Sequence, residues 1–330
     1  MITIAVDAMG GDFMPENPVK GALEALELRD DIRIVLVGNS EQLMQMNNSC
    51  VKHDRLSCVD AAEIITMEDS PVEAYRKKKK SSIHVGLQLL KENAVDGFIS
   101  AGNTGAVMTA ATFILGRIKT IERPAIGTIL PGRSGPVLML DMGSTVDCKP
   151  AHLDQFAVMG HFFAQDVLDI PNPRVGLLNI GEESEKGNQV TQEAHGLLAA
   201  NSTIQFVGNV EGKYVLKDTA DVVVCDGFVG NSMLKFGEGI VDVFFDFFKQ
   251  EIKGFRATLG AFLMAPVLRK LKARYHHDNY GSAPLLGVNG VVFIAHGSSS
   301  KRAMCNGILN VAHAVETTMV SEISQALASV

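Results

Sequence analysis

The sequence predicts an α/β fold: a doubly wound, mainly parallel sheet in three layers. Three observations lead there. Short apolar runs recur along the 330 residues, several of them apolar on both faces, as strands buried between helix layers are. Stretches of helical period stand between many of those runs. With 46% of residues apolar and 20% charged, the chain can bury a sizeable core, and global disorder is excluded.

The elements follow in order. ITIAVDA (2–8) reads as a first strand, because acidic residues stand where a secretory leader would carry basic ones. A helical pattern at 17–28, the strand RIVLVG (33–38), a helix at 40–47 and the strand RLSCVDA (55–61) come next. A helix at 81–92 precedes VDGFISA (95–101), and a helix at 104–117 follows it. AIGTIL (125–130) and PVLMLD (136–141) are strands, then a helix at 152–168 and the strand RVGLLNI (174–180). A helix at 187–200, the strands TIQFVG (203–208) and DVVVCDG (221–227), a helix at 231–252, the strand VVFIAHG (291–297) and a helix at 304–328 complete the pattern. With no repeat, linker or composition break, residues 1–330 read as one unit.

One segment departs from the alternation. Residues 249–276, KQEIKGFRATLGAFLMAPVLRKLKARYH, contain no strand signal. The apolar LGAFLMAPVL lies between Lys249, Lys253 and Arg256 on one side and Arg269, Lys270, Lys272 and Arg274 on the other. A helical protrusion near 240–280 is expected, with Pro266 kinking or dividing the helix. No apolar run reaches ~18 residues, so no membrane-spanning helix is expected.

The formal net charge of −7 argues against nucleic acid as a partner. Cys50, Cys58, Cys148, Cys225 and Cys305 are odd in number and scattered, which fits a reducing cytoplasmic compartment and core positions. Metal-ligand spacing is absent, His276-His277-Asp278 being the nearest approach, and no metal or cofactor is expected.

In doubly wound sheets, ligands sit beyond the carboxyl ends of strands. Six such ends carry glycine with small polar or charged groups. They are Asp7-Ala8-Met9-Gly10-Gly11-Asp12; Gly102-Asn103-Thr104-Gly105; Asp141-Met142-Gly143-Ser144; Asn179 with Gly181, Glu183, Lys186, Gly187 and Asn188; Asp226-Gly227 with Gly230 and Asn231; and His296-Gly297. If they share one edge they line an extended crevice. Glycine admits a ligand to the backbone, and the first N–H groups of a helix point outward unpaired, so such ends suit an anion. Each contributes only ~0.3–1 kcal/mol to an exposed charge, so several ends plus a Lys or Arg are needed. The chain lacks G-x-G-x-x-G after its first strand, a Walker A loop, a G-x-S-x-G elbow and H-E-x-x-H. A site rich in backbone donors and poor in nucleophiles suits a substrate that brings its own nucleophile, such as inorganic phosphate.

AVDAMGGD, SAGNTGA, LDMGS, LNIGEESEKGN, CDGFVGN and AHGSS, in this order from residue 5 to about 300, closely resemble the PlsX phosphate acyltransferase family. The resemblance implies acyl transfer from acyl-acyl carrier protein to inorganic phosphate, giving acyl phosphate for phospholipid synthesis. It also implies a fold related to phosphotransacetylase and to isocitrate and isopropylmalate dehydrogenases, and a homodimer. On that reading phosphate sits on 102–105 with Lys186 as its cation, backbone donors near Gly227–Asn231 or Gly143-Ser144 hold the oxyanion, and His296 is the candidate proton donor to a thiolate that leaves readily without one. Each residue has a plainer role beside this one: Asn103 and Thr104 as a helix cap, Asp7, Asp12, Asp141 and Asp226 as loop ties, Glu183 and Lys186 as an i,i+3 pair, His296 as a core histidine.

Arg76, Lys77, Lys78, Lys79 and Lys80 form a basic run against the negative chain, suited to docking an acidic acyl carrier protein; a solvated loop or helix start, or charge facing phosphate in the crevice, are the alternatives. Residues 253–275 suit reversible contact with the inner face of the cytoplasmic membrane, where a glycerol-3-phosphate acyltransferase would be the downstream partner; a dimer-packing helix pair is the alternative. Two other functions stay open at this point: a coenzyme A-dependent short-chain phosphotransacetylase, and a non-enzymatic phosphate-binding or membrane scaffold protein in lipid synthesis.

Overall fold

The computed structural model describes residues 1–46, 53–275 and 281–328. Cys50 and His276-His277-Asp278 lie outside the described residues, as do the side chains of Arg269, Lys270, Lys272 and Arg274. The first half runs β1 (Ile2–Asp7), α1 (Glu16–Leu28), β2 (Ile32–Gly38), α2 (Ser40–Met46), β3 (Leu56–Asp60), α3 (Pro71–Lys77), α4 (Ser82–Lys91), β4 (Gly97–Ser100) and α5 (Thr104–Ile114). Then come β5 (Ala125–Ile126), β6 (Thr128–Pro131), β7 (Pro136–Leu140), α6 (Pro150–Asp166), β8 (Arg174–Asn179), α7 (Gln189–Ala200), β9 (Gln205–Glu211) and β10 (Val222–Val224). The chain continues with α8 (Gly227–Glu251), α9 (Gly254–Tyr275), β11 (Ala283–Leu286), β12 (Val291–Ile294), α10 (Lys301–Glu316) and α11 (Met319–Ala328).

The strands form two sheets, β3-β2-β1-β4-β12-β11-β5 and β6-β7-β10-β8-β9. Pairing is parallel except where β11 meets β12 and β5, and where β6 meets β7. The expected strand at 125–130 is thus two, broken at Gly127, and it joins the sheets. Ile126 pairs with Leu285 on one side, and its carbonyl accepts from Met142 N (3.0 Å) on the other.

Alternate residues face opposite layers, as the period of two in a strand requires. Ile4, Val6, Leu138, Leu140, Val222 and Val224 share one apolar cluster with α1, α6, α7, α10 and α11. Ala5, Val137, Met139 and Val223 share the other with α3, α4 and α5. Each cluster draws on both sheets, so helices cover the two faces of one continuous layer.

Several boundaries differ from the sequence reading. α8 begins at Gly227 rather than 231, because Asp226 caps it by accepting from Val229 N (2.9 Å). The expected helix at 304–328 breaks into α10 and α11 at Thr317, whose extended backbone ends the first of them. α3 and β11 carry no periodic signal: one is a short helix started by Pro71, the other contains Pro284. Pro266 lies inside an undivided α9. Cys58 is exposed, since β3 is an edge strand, whereas Cys225 and Cys305 are buried as expected. Among the described side chains of α8 and α9, only Gly227 and Gly230 are buried, and Phe236, Phe244, Phe255 and Phe262 are more than 60% exposed. No helix among the described residues is long and apolar enough to cross a membrane.

Phe163 on α6 is fully buried, with its ring centroid 6.4 Å from that of Phe293 on β12. Phe163→Ala should therefore cost about 3–5 kcal/mol, read as a lower urea midpoint at unchanged slope. A midpoint within error of wild type would refute this placement of the core.

Candidate active site

The six strand-end loops fall into two groups. The first gathers the ends of β1, β4 and β12. Asp7 is fully buried; its Oδ1 accepts from Met9 N (2.9 Å) and its Oδ2 from Ser100 Oγ (2.6 Å). Ser100 Oγ in turn accepts from Gly102 N (3.0 Å). Gly10 packs so tightly that a Cβ there would lie 2.6 Å from Gly102 N, which only glycine permits. Asp12 N donates to Gly297 O (2.8 Å), closing Gly11 against β12, and the Asp12 side chain is exposed. Burial pushes the Asp7 carboxyl above its usual range, against the pull of the Ser100 and Ser82 hydroxyls and the Met9 amide.

Asn103 caps α5, its Oδ1 accepting from Ala106 N (3.0 Å). Its Nδ2 donates to the carbonyls of Thr66, Met67 and Asp69 at 3.1–3.3 Å. The amide is thus fully engaged in holding the helix start and the 66–69 loop. Thr104 and Gly105, in the first turn of α5, have N–H groups that precede any intrahelical acceptor. His296 is exposed rather than a core residue, and its Nδ1 lies 2.8 Å from Ser298 Oγ.

The second group gathers the ends of β7, β8 and β10. Asp141 is fully buried and accepts four hydrogen bonds: Ile126 N (3.0 Å) and Ser144 N (3.1 Å) at Oδ1, Ser144 Oγ (2.7 Å) and Thr145 N (2.6 Å) at Oδ2. Burial raises this carboxyl too, against those bonds. Gly230 sits where a Cβ would lie 2.0 Å from Asp141 O, and Gly227 N donates to Thr145 O (2.9 Å). α8 therefore starts directly on the turn that holds Gly143 and Ser144, with Asn231 exposed on its first turns.

In the loop from β8 to α7, Asn179 Nδ2 donates to Lys186 O (3.0 Å) and Asn209 Nδ2 to Glu183 O (2.7 Å). Asn188 caps α7 by accepting from Thr191 N (2.9 Å). Glu183 and Lys186 meet through the backbone, Lys186 N donating to Glu183 O (3.1 Å), in a loop that is not helical. The Lys186 side chain packs over Gly181, and its exposed ammonium has no ion pair among the described residues.

The expectation of one shared edge is corrected. β5 and β12 are both antiparallel to β11, and β7 is antiparallel to β6, so the parallel strands on the two sides of the Gly127 junction run in opposite senses. Their carboxyl ends cannot form a single row. The hydrogen bonds and close approaches given above stay within each group.

The basic run also divides. Lys78 is partly buried; its Nζ lies 2.5 Å from Asp69 Oδ2 and donates to Ile64 O (2.8 Å), which removes it from the docking set. Lys77 pairs with Glu73 (2.9 Å), and Lys79 Nζ lies 3.7 Å above the Tyr75 ring. Arg76, Lys77, Lys79 and Lys80 are exposed.

Sequence reasoning missed Ser100, Thr145 and Arg123. The Ser100 hydroxyl could have been suspected at the last position of β4. Arg123 acts electrostatically on Cys148 beside the second group, and only the fold brings it there. Burial chiefly pushes the Cys148 thiol up to about 12, which removes it as a nucleophile.

The family described as "Fatty acid synthesis protein" matches residues 2–322. A phosphate acyltransferase of Halothermothrix orenii is 47% identical over 325 residues, 98% of this chain and 97% of that protein. One of Synechococcus elongatus is 47% identical over 328 residues, 98% of this chain and 93% of that protein. Among solved structures, a phosphotransacetylase from Streptococcus pyogenes superposes with a TM-score of 0.63 at 18% identity, covering 96% of this chain and 94% of that one. A 4-hydroxythreonine-4-phosphate dehydrogenase from Klebsiella pneumoniae gives 0.53 at 12%, covering 96% and 98%. These two structures are alike in fold.

The raised Asp7 carboxyl has a signed consequence. As pH climbs past the ordinary value of 3.8, the unfolded chain loses this proton before the folded one, so stability falls with pH until the folded carboxyl ionises. Asp7→Asn removes that slope. Urea unfolding of both proteins from about pH 4 to neutrality should give a stability difference, wild type minus Asp7→Asn, that declines as pH rises; parallel curves would contradict the buried, raised carboxyl.

Proposed function

The chain belongs to the phosphate acyltransferase family and is an enzyme, and on that premise we propose that it moves a long-chain acyl group from acyl-acyl carrier protein to inorganic phosphate. This reading requires the two rows of loops to face one another across the Gly127 junction, with the reaction space between them. Phosphate dianion is already a competent oxygen nucleophile, so the protein need only hold and orient it. The first amides of α5, at Thr104 and Gly105 beside Gly102, face the anion, with Gly10, Gly11, Asp12 and Gly297 forming the adjoining wall. Lys186 supplies the positive charge.

A phosphate oxygen attacks the thioester carbonyl carbon. The carbon–sulfur bond breaks, its electron pair leaves on the sulfur of the carrier's phosphopantetheine arm, and acyl phosphate is released. Donors at the start of α8 and around Ser144 stabilise the oxyanion, and losing one such donor typically costs ~2.7–4 kcal/mol in the barrier. His296 offers a proton to the departing thiolate. Asn103, Asp141 and Asp226 act by positioning these loops. The observation that carries the reading is Lys186: an ammonium without an ion pair among the described residues, on a loop whose backbone is tied down by Asn179, Asn209 and Asn188.

The exposed cations Arg76, Lys77, Lys79 and Lys80 dock the acidic carrier protein, steering encounter more than adding affinity. The exposed apolar side chains of α8 and α9 support two further roles: a homodimer contact along α8, and reversible binding of 253–275 to the cytoplasmic face of the membrane. There the acyl phosphate would pass to a glycerol-3-phosphate acyltransferase.

Wild type should form acyl phosphate from palmitoyl carrier protein and phosphate. Lys186→Ala should raise the phosphate KM about tenfold or more, the scale of one charged hydrogen bond, with an unmoved thermal midpoint. An unchanged KM removes Lys186 from the site. In the same assay, reversing Arg76, Lys77 and Lys79 to Glu should raise the KM for the carrier substrate and leave that for phosphate. Equal effects on both would move the run into the active site.

Flotation with anionic vesicles tests the membrane role. Wild type should float and Leu263→Glu should not, with sedimentation showing a dimer in both. A wild type that stays at the bottom ends the membrane proposal, and a monomer ends the dimer.

A further inference from the structure

A cavity of about 130 Å3 opens beside the first loop group. Met9, Met14, Ile64, Ile65 and Met67 line it together with Gly11 and Thr66, whose hydroxyl donates to Asp69 Oδ2 (3.2 Å). Among the described residues no charged side chain lines it. Gly11 also closes against β12 through the Asp12–Gly297 bond, so this wall belongs to the cavity and to the loop group at once. Met67 makes the second connection: a Cβ on Gly297 would lie 2.7 Å from its Cε. The wall from 64 to 69 is fixed at both ends. Asn103 binds the carbonyls of Thr66, Met67 and Asp69, and Lys78 binds Ile64 O and Asp69.

We propose that this cavity receives the methylenes of the acyl donor nearest its thioester carbonyl, and so reads the first part of the chain. The inference rests on the acyl-transfer reading above. The thioester carbonyl attacked by the phosphate seated at the amides of α5 carries its apolar tail away from its polar end. The apolar surface contiguous with those amides is this cavity, bounded by residues that bond to Asn103. Phosphate and the pantetheine amides would find little on such a lining to bond with. Three methionines give it adaptable walls, which tolerate straight and branched chains better than rigid β-branched residues do. The volume is far too small for a whole long chain. The remainder leaves over Met14 and Met67, which are 38% and 51% exposed.

The test measures kcat/KM for acyl phosphate formation with carrier protein bearing acyl chains of increasing length, for wild type, Met67→Trp and Met14→Trp. Both substitutions are at partly exposed positions and narrow the cavity mouth, so either serves if the other folds poorly, with thermal midpoints as the control. Wild type should gain about fourfold per methylene over the first few carbons and then level off. The Trp variants should lose most of that gain while keeping the wild-type phosphate KM. A wild type that forms acyl phosphate with no such rise overturns the cavity assignment and leaves the reaction intact. Variants that slow short and long chains equally do the same. No acyl phosphate from any donor overturns the reaction, and the cavity's role with it.

Discussion

The structure turns on one buried carboxylate, Asp141. It accepts from Ile126 N where β5 ends, and from Ser144 and Thr145 in the turn after β7, while Gly227 and Gly230 of α8 press against it. Three separate stretches of chain are thereby fixed at the point where the two sheets meet. Among the described residues no cation pairs with it; hydroxyl and amide donors satisfy it, as a buried polar group requires. Asp7 plays the same part at the end of β1, through Met9 N and Ser100 Oγ. Each loop group thus stands on a desolvated acid that organises backbone rather than reacting.

The strands were legible because a run apolar on both faces has one stable home, between helix layers. VVVC before Asp226 and LVG before Asn39 carry that signal without help from partners. β11 does not: Ala283–Leu286 contains a proline and earns its pairing from β5 and β12, which are distant in sequence or follow it. The loop chemistry was legible for the same local reason, since Gly10, Gly102 and Gly230 mark where backbones nearly touch. The division into two groups was not. It depends on the antiparallel pairing of β6 with β7, and nothing in AIGTIL announces that Gly127 joins two sheets.

Net charge is legible in the sequence, and its distribution over the surface is not. Against a net −7, the run at 76–80 looked uniform. Burial separates it: Lys78 is spent on Asp69 and Ile64 O, whereas its neighbours reach solvent. The helical stretch at the start of α8 shows the reverse. Its first turn presses Gly227 and Gly230 against the Asp141 turn, whereas the rest, rich in phenylalanine, reaches solvent.

Asn103 ties two things that sequence keeps apart. One side-chain amide closes the first turn of α5 and also holds the 66–69 segment by three carbonyls. Loosening that segment would strip the helix of its terminal support, and fraying of the helix would release the segment. The two therefore open as a single cooperative unit, and their amide protons exchange with solvent together.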